Sequence, residues 1–224
     1  MTKPKAMLPP LLVLDREIEH WLLEDIGRGD RATQALIATG AHSSSAYWVA
    51  KESGIVAGLP IAARVFQRLD DRFAFTALVP EGSWCEQGQL IAQLAGSLEA
   101  LLTGERVALN LAMRLSGIAT LTNKYVAAIA DLPAQLVDTR KTTPGLRLLE
   151  KYATQVGGAI NHRLGLDDSV MIKDNHIAAA GSIGAAIAAI RPRIPYPLTI
   201  EVETETLAQV QEAIQHRADI IMLD

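Results

Sequence analysis

The sequence predicts an α/β protein whose second half contains a parallel β-sheet. After residue 97, short apolar runs typical of strands alternate with helical patterns, and the connections between them are short. Several of these runs end abruptly in charge, as where "LVD" leads to Arg140 and "SVMI" leads to Lys173. In a parallel α/β barrel the active site lies at the C-terminal ends of the strands. The charged strand ends therefore indicate one polar site, cationic on one side and acidic on the other.

Length and composition limit the classes of protein that need to be considered. The chain has 224 residues, of which 49% are hydrophobic, and its formal net charge is −4. This length suits one α/β domain or two smaller ones, and the apolar content is sufficient for a sizeable core rather than a disordered chain. The acidic balance argues against a general nucleic-acid binder, which more often carries a strong basic excess.

Cysteine usage and hydropathy indicate a cytoplasmic protein. Cys85 is the single cysteine, so an internal disulfide is impossible, which fits a reducing compartment. No apolar run reaches the roughly 18 residues that a membrane-spanning helix needs. The apolar stretch "MLPPLLVL" is followed by Asp15 and Glu17 and lacks a small-residue cleavage site. We interpret it as the start of a helix rather than a signal peptide.

The first half of the chain is predicted to contain one helix followed by a β-rich region. Apolar residues at Leu14, Ile18 and Leu22 have helical spacing and predict a helix over residues 11–26, which glycines then interrupt. Residues 43–95 contain four short apolar runs separated by turn residues: "AYWVA", "GIVAG", "FAFTALV" and "QLIAQL". This pattern predicts strands.

The second half begins near Gly96, so we divide the chain into residues 1–96 and 97–224. Ser97 is a candidate N-cap for a leucine-rich helix that we expect to break near Ser116 and Gly117, with a second helix over residues 118–130. Further helices are predicted after Thr143-Pro144, which resembles an N-cap followed by proline, and at "SIGAAIAAI" and "LAQVQEAIQH". The pair Gly157-Gly158 is predicted to end the first of these helices.

The strands after Ser97 are too few for a complete barrel. The last one, "DIIML", ends at Asp224, without the helix that should cover it. From the residues alone we therefore expect a sheet that is incomplete, open or closed by a partner.

Five potential cations lie within a stretch of 34 residues of the second half: Arg140, Lys141, His162, Arg163 and Lys173. Arg106, on the preceding helix, is a sixth candidate. Arginine offers a planar fork that binds a carboxylate or phosphate through two hydrogen bonds. Single cations after strands are usually solvated loop residues, but several at consecutive strand ends favour a ligand with more than one negative charge.

Acidic residues at later strand ends predict a magnesium site. Glu203 and Asp224 lie at or near the ends of "LTIEVET" and "DIIML". Mg²⁺ keeps several waters and binds one or two carboxylates together with substrate phosphates. Glu201 shares a face with Glu203, and either could instead cap the strand or pair with Lys173. Cationic side chains can bind an organic acid, and neighbouring carboxylates can bind a metal with pyrophosphate. Together they suit an enzyme that transfers a group from a phosphorylated donor.

Long motifs in both halves resemble quinolinate phosphoribosyltransferase. The second half contributes "DTRKTTPGLRLLEKYA", "GGAINHRLGLDDSVMIKDNHI", "IEVETETL" and "ADIIMLD". The first half contributes "LLEDIGRGDRAT", "GIVAGLP" and "GERVALNLAMRLSGIATLT". The resemblance covers nearly the whole chain from about Leu11, and the motifs keep their order.

The resemblance implies an N-terminal α/β sandwich domain followed by an open, TIM-like α/β barrel, truncated here at its last visible strand. The implied reaction joins quinolinate to phosphoribosyl pyrophosphate, with Mg²⁺, and yields nicotinate mononucleotide, pyrophosphate and CO₂ for NAD biosynthesis. The family is a homodimer in which the arginine matching Arg106 reaches the partner's active site, so a homodimer or higher homo-oligomer is expected here. Neither nucleic acid nor membrane is an expected partner.

The resemblance also assigns roles to individual residues. The positions that match the dicarboxylate site are Arg106, Arg140, His162 and Arg163. The positions that match lysines between the dicarboxylate and the donor are Lys141 and Lys173, and those that match acids near the ribose and metal are Glu203 and Asp224. Lys141, Lys173, Glu203 and Asp224 are the expected catalytic residues. Glu203 fits better than Glu201 because its spacing to the terminal "MLD" matches the family.

One departure from the family leaves alternatives open. The family continues past "MLD" with strands and glycine-rich turns that bind the donor's 5′-phosphate, so a chain of this length is expected to bind quinolinate weakly and turn over little. Three alternatives are a related branch encoded beside molybdate-transport genes, a Schiff-base aldolase using Lys173, and a folding or dimerisation fragment. The motif "IKDNH" favours the quinolinate enzymes over the first.

Overall fold

The computed structural model describes residues 6–38 and 43–224. The chain forms two compact units, Met1–His162 and Arg163–Asp224. Each unit has its own cluster of buried apolar side chains. Both combine helices with strands, which confirms the predicted α/β class. The division into domains at residues 96 and 97 stays a prediction.

The first unit combines helices with a small antiparallel sheet. Its elements are α1 (Leu11–Ile26), α2 (Arg31–Ile37), β1 (Ser43–Val49), β2 (Gly54–Ile55), α3 (Leu59–Leu69), β3 (Ala74–Ala77), β4 (Trp84–Cys85), β5 (Leu90–Ser97), α4 (Leu98–Ala128) and α5 (Arg147–Gly157). Strands β1, β5 and β3 pair in that order, and β2 pairs with β4. Helix α1 has the predicted bounds because its residues Leu14, Ile18 and Leu22, spaced by four, are all buried.

Helix α3 lies inside the region that was predicted to be β-rich, and that part of the prediction was wrong. The helix buries a stripe of apolar side chains, and Phe66 stacks on Phe73 with ring centroids 4.6 Å apart. The left-handed residue Gly58 (φ 93°) precedes the helix, and the Glu81 carboxylate accepts hydrogen bonds from the Gly58 and Leu59 backbone N–H groups. The carboxylate that caps this helix comes from a distant loop, so the residues around the helix start do not indicate it.

Helix α4 is continuous, so the break predicted near Ser116 and Gly117 is wrong. The Ser97 cap is confirmed, since its Oγ accepts from the Ala100 backbone N at 3.2 Å. Ser116 Oγ instead accepts from the Ala57 backbone N at 2.9 Å and donates to the Ala57 carbonyl at 3.1 Å. The hydroxyl side chain thus satisfies backbone groups near β2 instead of ending its own helix.

Glycine at position 157 is required where α5 packs against α4. A Cβ atom there would lie 2.6 Å from the Ala119 carbonyl oxygen and 2.6 Å from Thr122 Cβ. We expect Gly157→Ala to lower the free energy of unfolding by about 1–3 kcal/mol, since backbone atoms must move to admit the methyl group. Urea denaturation measures the effect. Gly117→Ala is the control, because a Cβ at Gly117 meets nothing within 4 Å; an equal loss in both variants would contradict the packing argument.

The second unit is a parallel sheet with helices, as the alternating pattern predicts. Its elements are β6 (Val170–Ile172), α6 (Asp174–Ala180), α7 (Ile183–Ile190), a short 3₁₀ helix (Arg191–Arg193), β7 (Ile200–Thr204), α8 (Leu207–Gln215) and β8 (Ile220–Leu223). The strand order is β6-β7-β8 with parallel pairing throughout. Ile172, Ile200 and Val202 are fully buried in its core. Within residues 6–38 and 43–224, no helix combines the length and apolar character needed to cross a bilayer.

Candidate active site

The sequence-predicted site residues are distributed over both units. The first unit contains Arg106, Arg140, Lys141 and His162, and the second contains Arg163, Lys173, Glu203 and Asp224. In the first unit, a parallel bridge between Val137 and Ile160 aligns two extended segments, and the Asp138 backbone N donates to the Ile160 carbonyl at 3.1 Å. Arg140 and Lys141 follow the first of these segments and His162 follows the second, as expected for polar residues at parallel strand ends.

Arg140 has an unsatisfied buried nitrogen. Its Nη1 is the one buried side-chain nitrogen or oxygen without a hydrogen-bond partner in the described part of the chain. Buried polar atoms almost always have partners, and a guanidinium nitrogen left without one is costly. An anion bound at Arg140 would satisfy that nitrogen. The neighbouring Lys141 is exposed, as is Arg106 on α4.

A buried lysine that sequence reasoning missed contacts the two extended segments that precede Arg140 and include His162. Lys151 on α5 is 1% exposed, and its Nζ donates to Asp138 Oδ1 at 2.5 Å and to the His162 carbonyl at 3.0 Å. The same Asp138 oxygen accepts from the His162 backbone N at 2.8 Å. The available signal was a stripe of polar residues at helical spacing on α5, formed by Arg147, Glu150, Lys151 and Thr154.

Helix α5 starts later than predicted. Thr143 was predicted as its N-cap, but the helix begins at Arg147. The Thr143 backbone N donates to Glu150 Oε2 at 3.2 Å, and Arg114 Nε donates to Glu150 Oε1 at 2.9 Å. Burial acts to raise the pKa of Glu150, but the hydrogen bonds from Arg114 and Thr143 outweigh it and the net pKa is lowered. The predicted helix stop is confirmed, with Gly158 left-handed at φ 104°.

The lowered pKa of Glu150 gives stability a defined pH dependence. A depressed carboxyl pKa stabilises the fold above the ordinary value of 4.5, and this contribution disappears as the pH falls through the folded-state value. We expect Glu150→Gln to cost about 1–3 kcal/mol of unfolding free energy at pH 7 and much less in acid. Urea denaturation at pH 7 and at a series of pH values below 4.5 provides the comparison. The exposed Glu24 is a control position at which glutamine should matter little, and a Glu150→Gln cost that is constant with pH would contradict the assignment.

The second unit brings Lys173 and Glu203 together. Lys173 follows β6 directly, and its Nζ donates to Glu203 Oε2 near the end of β7. The Asp224 backbone N, just after β8, donates to the Thr204 carbonyl at 3.0 Å. Glu203 and Asp224 therefore belong to the same C-terminal edge of the sheet, as expected. Glu201 is 4% exposed, deeper in the strand.

Arg163 lies just before a turn that precedes β6. Its Nη1 donates to the Ser169 carbonyl at 2.8 Å, and the Leu164 backbone N donates to Asp168 Oδ2 at 2.9 Å. These bonds order the loop that carries the arginine. Sequence reasoning selected Arg163 from the "NHR" motif but did not anticipate the loop contacts.

The two carboxylates at the strand ends of the second unit, Glu203 and Asp224, are the residues that could bind Mg²⁺. In the described part of the chain, no three histidine, cysteine, aspartate or glutamate side chains cluster as a metal site. Two carboxylates on adjacent strand ends suit a cation that takes its other ligands from water and substrate phosphates, as Mg²⁺ does. Glu203 and Asp224 are therefore candidate ligands for such a cation.

The chain matches known proteins along nearly its whole length. The family model described as quinolinate phosphoribosyl transferase, N-terminal domain, matches residues 30–116, and that of the C-terminal domain matches residues 118–224. A probable nicotinate-nucleotide pyrophosphorylase [carboxylating] of Synechocystis sp. is 59% identical over 221 residues, which are 99% of this chain and 74% of that protein. The human nicotinate-nucleotide pyrophosphorylase [carboxylating] is 39% identical, over 98% of this chain and 73% of its own.

Solved structures agree with these sequence relationships. NadC from Streptococcus pyogenes superposes with a TM-score of 0.91 at 43% identity, over 97% of this chain and 77% of that one. The nicotinate-nucleotide pyrophosphorylase from Francisella tularensis gives a TM-score of 0.89 at 37% identity, over 96% of this chain and 76% of that one. With both family domains matched in order and relatives this similar, the chain belongs to the quinolinate phosphoribosyltransferase family.

Proposed function

We propose that this protein transfers the phosphoribosyl group of phosphoribosyl pyrophosphate to quinolinate, with decarboxylation to nicotinate mononucleotide. Family membership and the names of the relatives, which specify a carboxylating pyrophosphorylase, support this reaction. The observation that carries it is Arg140, whose buried Nη1 lacks a partner among the described residues and whose neighbour Lys141 is exposed. A carboxylate satisfies such a nitrogen, and a dicarboxylate engages both cations.

The proposed roles follow the two groups of charged residues. Quinolinate is bound by the side chains that match the family positions, namely Arg106, Arg140, His162 and Arg163. Lys141 and Lys173 match the family's lysines between quinolinate and the donor. Bidentate hydrogen bonds from arginine orient the pyridine ring, so that its nitrogen lies in line with the carbon that it attacks. The contact between Lys173 and Glu203 places a carboxylate next to one of these lysines.

The chemistry requires no covalent enzyme intermediate. The lone pair of the quinolinate nitrogen forms a bond to the anomeric carbon of the ribose while the bond from that carbon to the pyrophosphate oxygen breaks. Positive charge develops on the ribose, where the carboxylates of Glu203 and Asp224 stabilise it. The ring nitrogen is now cationic, so the bond to the 2-carboxylate breaks readily. CO₂ leaves, and the electron pair that remains on the ring carbon takes up a proton.

Mg²⁺ is the proposed cofactor. Glu203 and Asp224 are the side chains that would bind it, together with the donor. When bound, Mg²⁺ offsets negative charge on the departing pyrophosphate. In this proposal Glu203 and Asp224 serve the donor, whereas Arg106, Arg140, His162 and Arg163 serve the dicarboxylate.

We further propose that the protein acts as a homodimer. Support comes from an 810 Å³ groove in the first unit between β1 and α4. Exposed apolar side chains line it, among them Tyr47, Met113 and Leu121, and Arg106 lies at the same face. Exposed apolar surface of this kind favours association, and a second copy would bring Arg106 near another subunit. Sedimentation velocity measures the oligomeric state, and a monomer at micromolar concentration would contradict the proposal.

A direct assay tests the reaction. Protein purified both as this chain and at the length of its relatives is expected, with quinolinate, phosphoribosyl pyrophosphate and Mg²⁺, to release CO₂ and pyrophosphate in equal amounts and to form nicotinate mononucleotide. The rate is expected to be lower for this chain, which aligns with 74% of the Synechocystis relative. Nicotinate, which lacks the 2-carboxylate, is the matched control substrate and should give no CO₂. Calorimetry with quinolinate alone tests binding separately from turnover. Failure of quinolinate both to bind and to react would overturn the proposed function.

A further inference from the structure

Helix α5 presents a row of polar side chains to the cation-bearing segment of the first unit. We define the cationic segment as residues 138–143, which include Arg140 and Lys141. Arg147, Glu150 and Lys151 occur at helical spacing on α5, and each donates to or accepts from a residue of that segment. The α5 row therefore contacts the segment that carries the proposed quinolinate ligands, without itself being among those ligands.

At the first end of the segment, Lys151 joins two strand ends. Its Nζ bridges the Asp138 carboxylate, 2.5 Å away, and the His162 carbonyl, 3.0 Å away. Thr154 Oγ1 donates to the other Asp138 oxygen at 3.1 Å. A buried ion pair of this kind adds little net stability over an apolar pair of similar shape, because desolvation offsets the attraction. Its main effect is to restrict the geometry of the groups that it joins.

At the second end, Glu150 and Arg147 fix the residues that follow Lys141. Glu150 Oε2 accepts from the Thr143 backbone N at 3.2 Å, and Arg147 Nε donates to Thr142 Oγ1 at 3.1 Å. Within the segment, the Thr142 backbone N donates to the Arg140 carbonyl at 2.9 Å. Contacts from neighbouring residues of one rigid helix thus fix both ends of a six-residue segment.

We propose that Lys151 and Glu150 are positioning residues that preorganise Arg140 and Lys141 for the dicarboxylate. The inference rests on the proposed function, in which Arg140 binds quinolinate. A segment fixed at both ends loses little conformational entropy when the ligand binds, whereas a loosened segment must be ordered at that moment. Neither Lys151 nor Glu150 needs to touch the substrate.

Calorimetry with quinolinate tests the Lys151 end. We expect Lys151→Met to raise the quinolinate Kd by about tenfold, the cost of ordering roughly one backbone residue. Tyr152→Phe is the matched control on the same helix, because its buried hydroxyl donates to Glu81 at 2.8 Å, away from the segment. That variant should lower the thermal midpoint while leaving the Kd within about twofold. Equal Kd changes in Lys151→Met and Tyr152→Phe would overturn the inference.

A paired variant separates positioning from stability. Lys151→Met alone leaves the Asp138 charge buried and unpaired, which is strongly destabilising. Asp138→Asn combined with Lys151→Met removes both charges, so its thermal midpoint should recover toward that of the unchanged protein while the Kd stays raised. A Kd that recovers with the midpoint would show that the ion pair only stabilises the fold. Arg140→Ala separates the proposed function from the positioning role. An unchanged quinolinate Kd in Arg140→Ala contradicts the proposed function. A raised Kd in Arg140→Ala, with an unchanged Kd in both Lys151 variants, contradicts only the positioning role.

Discussion

Arg140→Ala is expected to raise the quinolinate Kd by about 100-fold or more, because a bidentate carboxylate contact provides two charge-assisted hydrogen bonds. The same change should leave the thermal midpoint unchanged or slightly higher, since Arg140 Nη1 is buried without a partner in the described part of the chain and its removal costs no hydrogen bond. Calorimetry and thermal denaturation on one preparation measure both quantities.

The control for Arg140→Ala must change the net charge equally. Arg72 lies in the same unit with a side chain that is 91% exposed, so Arg72→Ala removes one positive charge from a solvated position. We expect the Kd for quinolinate to change less than about twofold in that variant, because exposed charges are screened. Arg163→Ala should behave like Arg140→Ala in binding. Unchanged affinity in both the Arg140 and Arg163 variants would disprove the assignment of the dicarboxylate site.

Glu203→Gln is expected to lower the turnover number by about 100-fold or more, comparable to removing one preorganised electrostatic group from a transition state. Quinolinate affinity should change much less, because the carboxylate is assigned to the ribose and metal side. The substitution preserves the shape of the side chain but removes the charge that contacts Lys173. Steady-state rates of CO₂ release, with calorimetry for quinolinate, separate the two effects.

Two neighbouring glutamates serve as comparisons for Glu203. Glu205 is exposed, and Glu205→Gln should leave turnover unchanged. Glu201 shares the face of β7 but is 4% exposed, so its substitution is expected to affect stability more than rate. If Glu201→Gln damaged turnover while Glu203→Gln did not, the functional acid would lie one pleat repeat earlier on this strand.

Errors in the predicted secondary structure occurred where distant parts of the chain satisfy backbone groups. Ser116 and Gly117 are local signals for a helix end, yet α4 continues because Ser116 bonds to the backbone of Ala57. Likewise, α3 receives its N-terminal cap from Glu81, 22 residues beyond Leu59. Hydrogen bonds between residues so far apart in sequence leave no local pattern, so propensity and spacing alone pointed to the wrong structure.

The sequence alone determined the α/β class, the Ser97 cap and the parallel strands of the second unit through local chemistry. The order of its motifs determined the family to which the chain belongs. Apolar periodicity and strand-end charge are properties of neighbouring residues, so they can be read without coordinates. Only the tertiary structure identified Lys151 as the partner of Asp138 and His162. Only it showed that Arg140 has a buried nitrogen with no partner in residues 6–38 and 43–224. Burial and long-range pairing decide those roles, because a lysine or arginine becomes a buried, directed donor only when distant segments pack around it.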